Sequence, residues 1–402
     1  MSTMLDLTSI KPSLDKLQGI ERTLAASLIE RDEVIRAALV ALLARQHLVI
    51  LGPPGTAKSA LVTNLAACIS PQNGAGLRSF SYLMTRFTTP EELFGPVSVN
   101  GLKQDEYRRI TAGRLVEAEL VFLDEIFKAS SAILNALLKI ANERLFNNGG
   151  QEIPVPLISL FGASNELPQG NDLEALWDRF LLRLRVGYVS DGGFSSLIRA
   201  AALRLAVNGN GHAANGAQQT LAQSELIALQ QSAGQVLVPD ATVILIEQLR
   251  RDLAAKGVSL SDRRWGQTLA VLQAHALLEG RTAVTEDDLT LLKHSLWQTP
   301  EQQPEIGKLI ARLGNPLNSK AVDYGDQAAS VHQDGMQAHG SADTTDKKVA
   351  AAIEAYGKLK TILNKLQELR EQAVAQGRSA GRIDKVVEQV TRMRQEFAEL
   401  AL

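Results

Sequence analysis

Apolar residues recur at helical spacing between Ser13 and Gln46 in two groups. Leu14, Leu17, Ile20, Leu24 and Leu28 make one face. Val34, Ile35, Ala38, Leu39, Leu42 and Leu43 make the next, after a charged break at Glu30-Arg31-Asp32-Glu33, so two helices are predicted. The pattern then changes. Leu48 to Leu51 is a short unbroken apolar run bounded by turn residues, which predicts a buried strand, and helical spacing resumes from Ser59 to Ile69. Further strands are predicted at Leu77–Leu83, Leu120–Leu123, Leu157–Asn165 and Leu181–Val186, with helical patterns at Ser131–Leu138 and Leu173–Trp177. Thr89-Pro90-Glu91-Glu92 combines a polar cap, a first-turn proline and acids, the marks of a helix start. Strands alternating with helices predict an α/β fold, a parallel sheet with helices on both faces. Residues Gly95–Gly113 interrupt that order; Val97, Val99, Asn100-Gly101 and Tyr107 predict a hairpin set into it.

Beyond the polar stretch 207–220, read as a flexible loop, only helical patterns remain: Leu226–Leu229, Asp240–Leu253, Arg263–Leu278 and Glu286–Trp297. Thr285-Glu286-Asp287-Asp288 supplies a cap and an acidic first turn to the last of these. Residues 314–347 carry small and polar residues with few large apolar ones, which predicts a linker. Leu359, Ile362, Leu366, Leu369 and Ala373 then recur at heptad spacing. Ile383, Val386, Val390, Met393, Phe397 and Leu400 repeat it after a glycine turn at 377–381. Two antiparallel helices with a coiled-coil seam are expected. The predicted organisation is an α/β domain over 1–206, a helical domain over 221–313, a flexible linker over 314–347 and a helical hairpin over 348–402.

Composition narrows the function. At 402 residues the chain holds two or three domains, and 45% hydrophobic with 21% charged residues is ordinary for a soluble protein. A net charge of −2 argues against a global electrostatic grip on nucleic acid or on an anionic membrane. The single cysteine, Cys68, excludes an intramolecular disulfide and lies on an apolar pattern, so it reads as a buried thiol. No run reaches the ~18 apolar residues of a membrane span. The N-terminus lacks a signal-peptide pattern, and a cytoplasmic protein is expected. His47, His212, His275, His294, His332 and His339 show no metal-site spacing.

Between the first strand and the helix after it stands Gly52-Pro53-Pro54-Gly55-Thr56-Ala57-Lys58-Ser59. Strand, glycine loop and helix together are the setting of a phosphate-binding loop, in which backbone N–H groups and the helix N-terminus face the phosphates. Lys58 can reach the β/γ-phosphates, and the Ser59 hydroxyl can bind Mg²⁺. Ala57 stands where the pattern G-x-x-x-x-G-K-[ST] has its last glycine. Alanine suits a helix start, so ordinary right-handed backbone is expected there. Asp124-Glu125 follows an apolar strand and supplies the two carboxylates an ATPase needs, Asp124 near Mg²⁺ and Glu125 to orient the attacking water. Gly52, Asp124 and Asn165 all follow strand ends, so they can share one ligand crevice, with Asn165 assisting the water. Arg179 lies between helix and strand, where it can project into another subunit, and transition-state charge rewards an arginine supplied in trans. Arg263 and Arg264 begin a helix against its dipole, which hints at another purpose.

Taken together, GPPGTAKS, YLMTRFTTPEELFGPVSV, EAELVFLDEIFKAS, ASNELP, ALWDRF and SDRRW resemble the AAA+ ATPases, and within them the MoxR family, especially its RavA-like branch. The resemblance runs from about residue 15 to about residue 300. It implies an αβα nucleotide domain, an all-helical lid and a homo-oligomeric ring, usually a hexamer, with ATP and Mg²⁺ held between subunits. It makes Gly52–Ser59 the Walker A loop, Asp124 and Glu125 the Walker B pair, Asn165 sensor 1, Arg179 the arginine finger with Arg183 in reserve, and Arg263 sensor 2. Alanine before the lysine is common in the family. Gly95–Gly113 is similar to the helix-2 insert of this clade, a substrate-facing or ring-lining element. The implied activity is ATP hydrolysis driving chaperone-like remodelling, activation or assembly of protein clients, with a von Willebrand factor A-domain (vWA) partner. The tail departs from the pattern, since RavA-like proteins carry a longer extension with a β-rich module. Three rivals stand beside this reading: a nucleotide-gated assembly scaffold, a DNA-acting motor and a metal-chelatase motor subunit.

Overall fold

The computed structural model describes residues 7–70, 77–168, 170–207, 220–314, 316–341, 344–375 and 380–400. In chain order, α1 (Lys11–Ser27) and α2 (Asp32–Leu43) precede β1 (His47–Leu51), α3 (Lys58–Ala67), the two-residue β2 (Ile69–Ser70) and β3 (Ser79–Leu83). The short α4 (Pro90–Phe94) and α5 (Val99–Leu102) lead to β4 (Leu120–Asp124) and α6 (Ser131–Glu143). Next come β5 (Leu145–Asn148), β6 (Gln151–Pro154), β7 (Ser159–Ser164), α7 (Asn171–Arg179), β8 (Phe180–Arg185) and α8 (Asp191–Val207). After β9 (Leu221–Ala222) the chain is helical: α9 (Gln223–Ala233), α10 (Asp240–Ala255), α11 (Asp262–Leu278), α12 (Gln303–Gly314), α13 (Pro316–Ser341), α14 (Thr345–Ala375) and α15 (Gly381–Leu400).

The five predicted apolar runs become one parallel sheet in the order β3-β4-β7-β1-β8. β1 and β7 are buried along their whole length, as strands covered on both faces must be. β3, at the edge, alternates between exposed and half-buried positions. The chain divides into two compact units: Met1–Val243 with Val258–Thr285 and His294–Trp297, and Ile244–Gly257 with Glu286–Lys293 and Gln298–Leu402. α9 and α11 pack with α1 and α2 in the first unit, and α12 lies in the second.

His47 opens β1 in the core of the first unit. Its Nδ1 accepts the Leu160 N–H at 3.0 Å, and its Nε2 lies 2.9 Å from the Ala141 carbonyl and 2.8 Å from Arg144 Nη1. Burial, then the Arg144 charge, push its pKa from 6.5 down to about 3. The folded state thus resists protonation that the unfolded chain accepts. The contribution is full above pH ~6.5 and drains away as pH falls towards about 3. Stability is expected to drop by about 2 kcal/mol between pH 6.5 and pH 5 from this group alone. Urea midpoints at the two pH values check this, and His47→Gln should flatten the dependence.

Two expectations for the first unit change. Residues Gly95–Gly113 are not a strand hairpin: a single antiparallel bridge between Val97 and Arg109 closes a loop around the helical turn α5, capped by Ser98 Oγ accepting the Gly101 N–H at 3.1 Å. The hairpin lies further on, at β5 and β6, which pair antiparallel around Asn148-Gly149-Gly150-Gln151. Its turn grips the earlier loop. Asn148 Oδ1 accepts the Arg109 N–H at 2.6 Å, and Asn148 Nδ2 donates to the Arg109 carbonyl at 3.2 Å. Gly149 has φ +69°, and a Cβ there would stand 1.8 Å from the Tyr107 carbonyl oxygen. The loop expected over 207–220 lies outside the described residues save at its ends.

In the second unit the flexible linker expected over 314–347 is corrected: most of it is the helix α13. Its seam is made of small residues. Leu317, Ala321, Tyr324, Ala328, Val331 and Gly335 alternate spacings of four and three, so they share one face. That face packs on α14 and α15 around Leu359, Leu366, Ile383, Val390 and Phe397. The predicted hairpin is therefore two-thirds of a three-helix bundle. Low side-chain volume is what lets the third helix approach: a Cβ on Gly335 would stand 2.7 Å from Ala355 Cβ and 2.8 Å from Phe397 Cζ. Of the predicted turn at 377–381, residues 377–379 lie outside the described residues. No helix among the described residues is long and apolar enough to cross a membrane.

Candidate active site

Strand β1, between β7 and β8, delivers the glycine loop to the C-terminal end of the sheet. Gly52 N–H donates to the Ser164 carbonyl at 3.0 Å, and a Cβ at Gly52 would stand 2.3 Å from the Val186 carbonyl oxygen, so only glycine fits against the neighbouring strand's exit. Gly55 takes φ +79°. Ala57 takes φ 65° and ψ 24°, which corrects the right-handed backbone expected there. Thr56 Oγ1 closes the turn by donating to the Pro53 carbonyl at 2.9 Å. α3 then starts at Lys58, with its N-terminus beneath the loop.

Lys58 is buried, and its Nζ donates to the Gly52 and Pro53 carbonyls at 2.7 and 3.0 Å. Burial pulls its pKa below the usual lysine value, while Asp124 and Glu125 push it back upward. Ser59 Oγ lies 3.5 Å from Asp124 Oδ2 at the end of β4. A hydroxyl beside a carboxylate is the hard-oxygen donor pair that Mg²⁺ takes, so the residues fit the ion.

Glu125 follows in a left-handed conformation, φ 53° and ψ 41°, which turns it out of the strand. Asn165 comes from the end of the adjacent β7. With its amide oriented to satisfy both residues, Nδ2 faces the Glu125 carboxylate and donates to Oε2 at 2.8 Å and to Oε1. Lys128 Nζ lies 3.2 Å from the same Oε2. The Lys58, Ser59, Asp124, Glu125 and Asn165 side chains thus gather beyond one set of strand ends. Lys128 was missed in the sequence, although its place three residues after Glu125 carried the signal.

Arg179 and Arg263 do not join them. Arg179 ends α7, just before Phe180, which pairs with His47 at the start of β1. The glycine loop leaves the other end of that five-residue strand, about 15 Å away at β-strand rise. Arg179 Nη1 lies 3.4 Å from Asp178 Oδ2, while its Nε is buried with no hydrogen-bond partner. Arg263, in the first turn of α11, belongs to the same corner: burial, then the Arg179 charge, lower its pKa, and Asp178 opposes them. Arg264 is the structural tie between α11 and β8. It is 1% exposed and donates to the Ser295, Asp178, Phe180 and Leu181 carbonyls. Arg183 is excluded as a finger. It is 1% exposed, donates to the Phe180, Trp177 and Trp297 carbonyls, and its Cζ lies 4.3 Å from the Trp177 ring centroid.

Known proteins resemble this chain in sequence and in fold. Residues 15–231 match the MoxR domain of the MoxR-vWA-beta-propeller ternary systems, and residues 241–310 match an AAA lid domain. The chain is 34% identical over 384 residues to the uncharacterized protein MJ0079 of Methanocaldococcus jannaschii, covering 94% of this chain and 95% of that one. Chaperone MoxR1 of Mycobacterium tuberculosis is 25% identical over 342 residues, covering 78% of this chain and 86% of its own length. A solved protein of Cytophaga hutchinsonii, provisionally assigned as an ATPase, matches with a TM-score of 0.59 over 76% of this chain and 94% of its own. At 18% identity that is a likeness of fold alone. The MoxR domain spans more than half of the 402 residues and the lid follows it, so the chain belongs to the MoxR family of AAA+ ATPases.

Proposed function

We propose that this chain hydrolyses ATP at interfaces between copies of itself, in a ring, and uses the turnover to remodel, activate or assemble protein clients. The observation that carries the reading is the division of the site along β1. The phosphate loop, Asp124, Glu125 and Asn165 lie beyond one end of the sheet, and Arg179 and Arg263 lie at the other. Both arginines lie by the start of β1, and the loop leaves its far end, about 15 Å along the strand, so a neighbouring copy is better placed than their own chain to bring them to the phosphates. On this reading Arg263 acts in trans with Arg179. The Arg179 side chain is 23% exposed, which leaves part of its guanidinium open to a neighbour's phosphate.

In cis, Lys58 turns from the Gly52 and Pro53 carbonyls to the β/γ-phosphates. Ser59 and Asp124 would hold Mg²⁺, which would supply positive charge to the phosphates. Glu125 orients the water, assisted by Asn165. A vWA-domain partner is supported by the systems that the matched MoxR domain is described from. Placement in the RavA-like branch rests on the sequence motifs, as does a ring of six.

One observation favours a second reading, the nucleotide-gated scaffold. Asn165 and Lys128 both occupy the Glu125 carboxylate, a state that suits slow turnover. Phosphate release from ATP separates the two. Release that stops when Mg²⁺ is chelated, and that a vWA partner accelerates, supports the motor. ATP bound and not cleaved, with any partner, leaves the scaffold.

A further inference from the structure

Ala57 holds a left-handed backbone that residues with a Cβ avoid, and it does so immediately before Lys58. The group that braces it is Arg31, from the charged turn between α1 and α2. Arg31 is 8% exposed and directs its guanidinium at backbone carbonyls: Nε to Thr56 at 3.2 Å, Nη1 to Glu30 at 2.7 Å and Nη2 to Gly187 at 2.7 Å. The Glu30 carboxylate is engaged elsewhere, accepting the Ser190 N–H at 2.8 Å.

The Thr56 carbonyl belongs to the same peptide as the Ala57 N–H. Across a planar trans peptide the two point in opposite directions, so holding the carbonyl towards Arg31 turns the N–H to the other side of the chain. Gly187 gives the guanidinium a fixed footing. It follows Val186, whose N–H donates to the Leu51 carbonyl at 2.8 Å and whose own carbonyl abuts Gly52. One planar fork therefore spans the middle of the loop and the strand exit beside its base.

We propose that Arg31 is a positioning residue for nucleotide binding: it fixes the Thr56–Ala57 peptide so that the Ala57 N–H faces the phosphates, and it offsets the left-handed strain of Ala57. The proposal rests on the reading of Gly52–Ser59 as a nucleoside-triphosphate loop. It ties the need for Arg31 to the alanine. With glycine at 57 the left-handed backbone is free, and the loop keeps its shape with less help.

The experiment titrates a fluorescent ATP analogue with Mg²⁺ into the full chain, its Arg31→Lys and Arg31→Gln variants, and each of these combined with Ala57→Gly. Neither replacement can bridge Thr56 and Gly187 as the fork does. Affinity is expected to fall about tenfold, equivalent to ~1.4 kcal/mol, with Ala57→Gly recovering most of the loss. At saturating ATP the kcat should stay within about threefold, because the effect is on binding. A single variant that does not fold is judged in its Ala57→Gly form, where recovered folding and binding support the proposal. Unchanged affinity in the single variants, or no recovery with Ala57→Gly, overturns it. Failure of the unaltered chain to bind the analogue would remove the nucleotide reading instead.

Discussion

Glu125→Gln is expected to bind ATP as tightly as the unaltered chain and to lose at least about a hundredfold in turnover. Glutamine keeps the volume of the side chain but cannot take the proton of an attacking water. The phosphate loop, Lys58 and the Ser59–Asp124 pair are untouched, so binding has no reason to change. Phosphate release and analogue titration on the same preparation check both halves. Turnover at the unaltered rate would take Glu125 out of the chemistry and leave Asp124 as the sole carboxylate at the loop.

The second large effect concerns Arg179. Arg179→Ala alone should lower turnover by about a thousandfold, the scale of an arginine supplied in trans. Lys58→Ala alone should be equally inert, for loss of the phosphate contact. Mixed in equal amounts, the two should regain activity. A Lys58→Ala chain still offers Arg179 to its neighbour, and an Arg179→Ala chain still offers a complete loop. Random assembly in a ring with head-to-tail interfaces makes about a quarter of the interfaces complete. Arg263→Ala should complement Lys58→Ala in the same way, because Arg263 shares the Arg179 corner. A mixture as inactive as its parts would mean that each chain uses its own arginines.

Most of the sheet was legible because its strands are short apolar runs ended by turn residues, a signal that burial on both faces produces directly. The loop, Asp124, Glu125 and Asn165 were legible for the same reason: each follows such a run. What escaped depended on backbone conformation or on distant partners. Residue type alone predicts right-handed backbone at Ala57, whereas the loop imposes a left-handed turn that Arg31 supports from another part of the chain. Arg31 itself looked like one member of a charged helix break. Arg183 resembled a second finger, because nothing local reveals that Trp177 covers it and that three carbonyls bind it. Large apolar residues alone do not reveal α13. Its Ala and Gly positions hold the heptad spacing, and their small size is what brings α14 and α15 within reach. The β5–β6 hairpin is marked in the sequence by its Asn148-Gly149 turn, but its strands are only four residues long and carry no clear apolar run.

With its arginines at the far end of the sheet, the ATPase site needs a second copy of the chain to be complete. Phosphate release measured against protein concentration, at saturating ATP and Mg²⁺, tests it most directly. Activity per chain is expected to rise with concentration as copies associate and then to level off. Constant activity per chain down to concentrations at which light scattering shows a single 43.5 kDa chain would contradict it, because the site would then be complete within one copy.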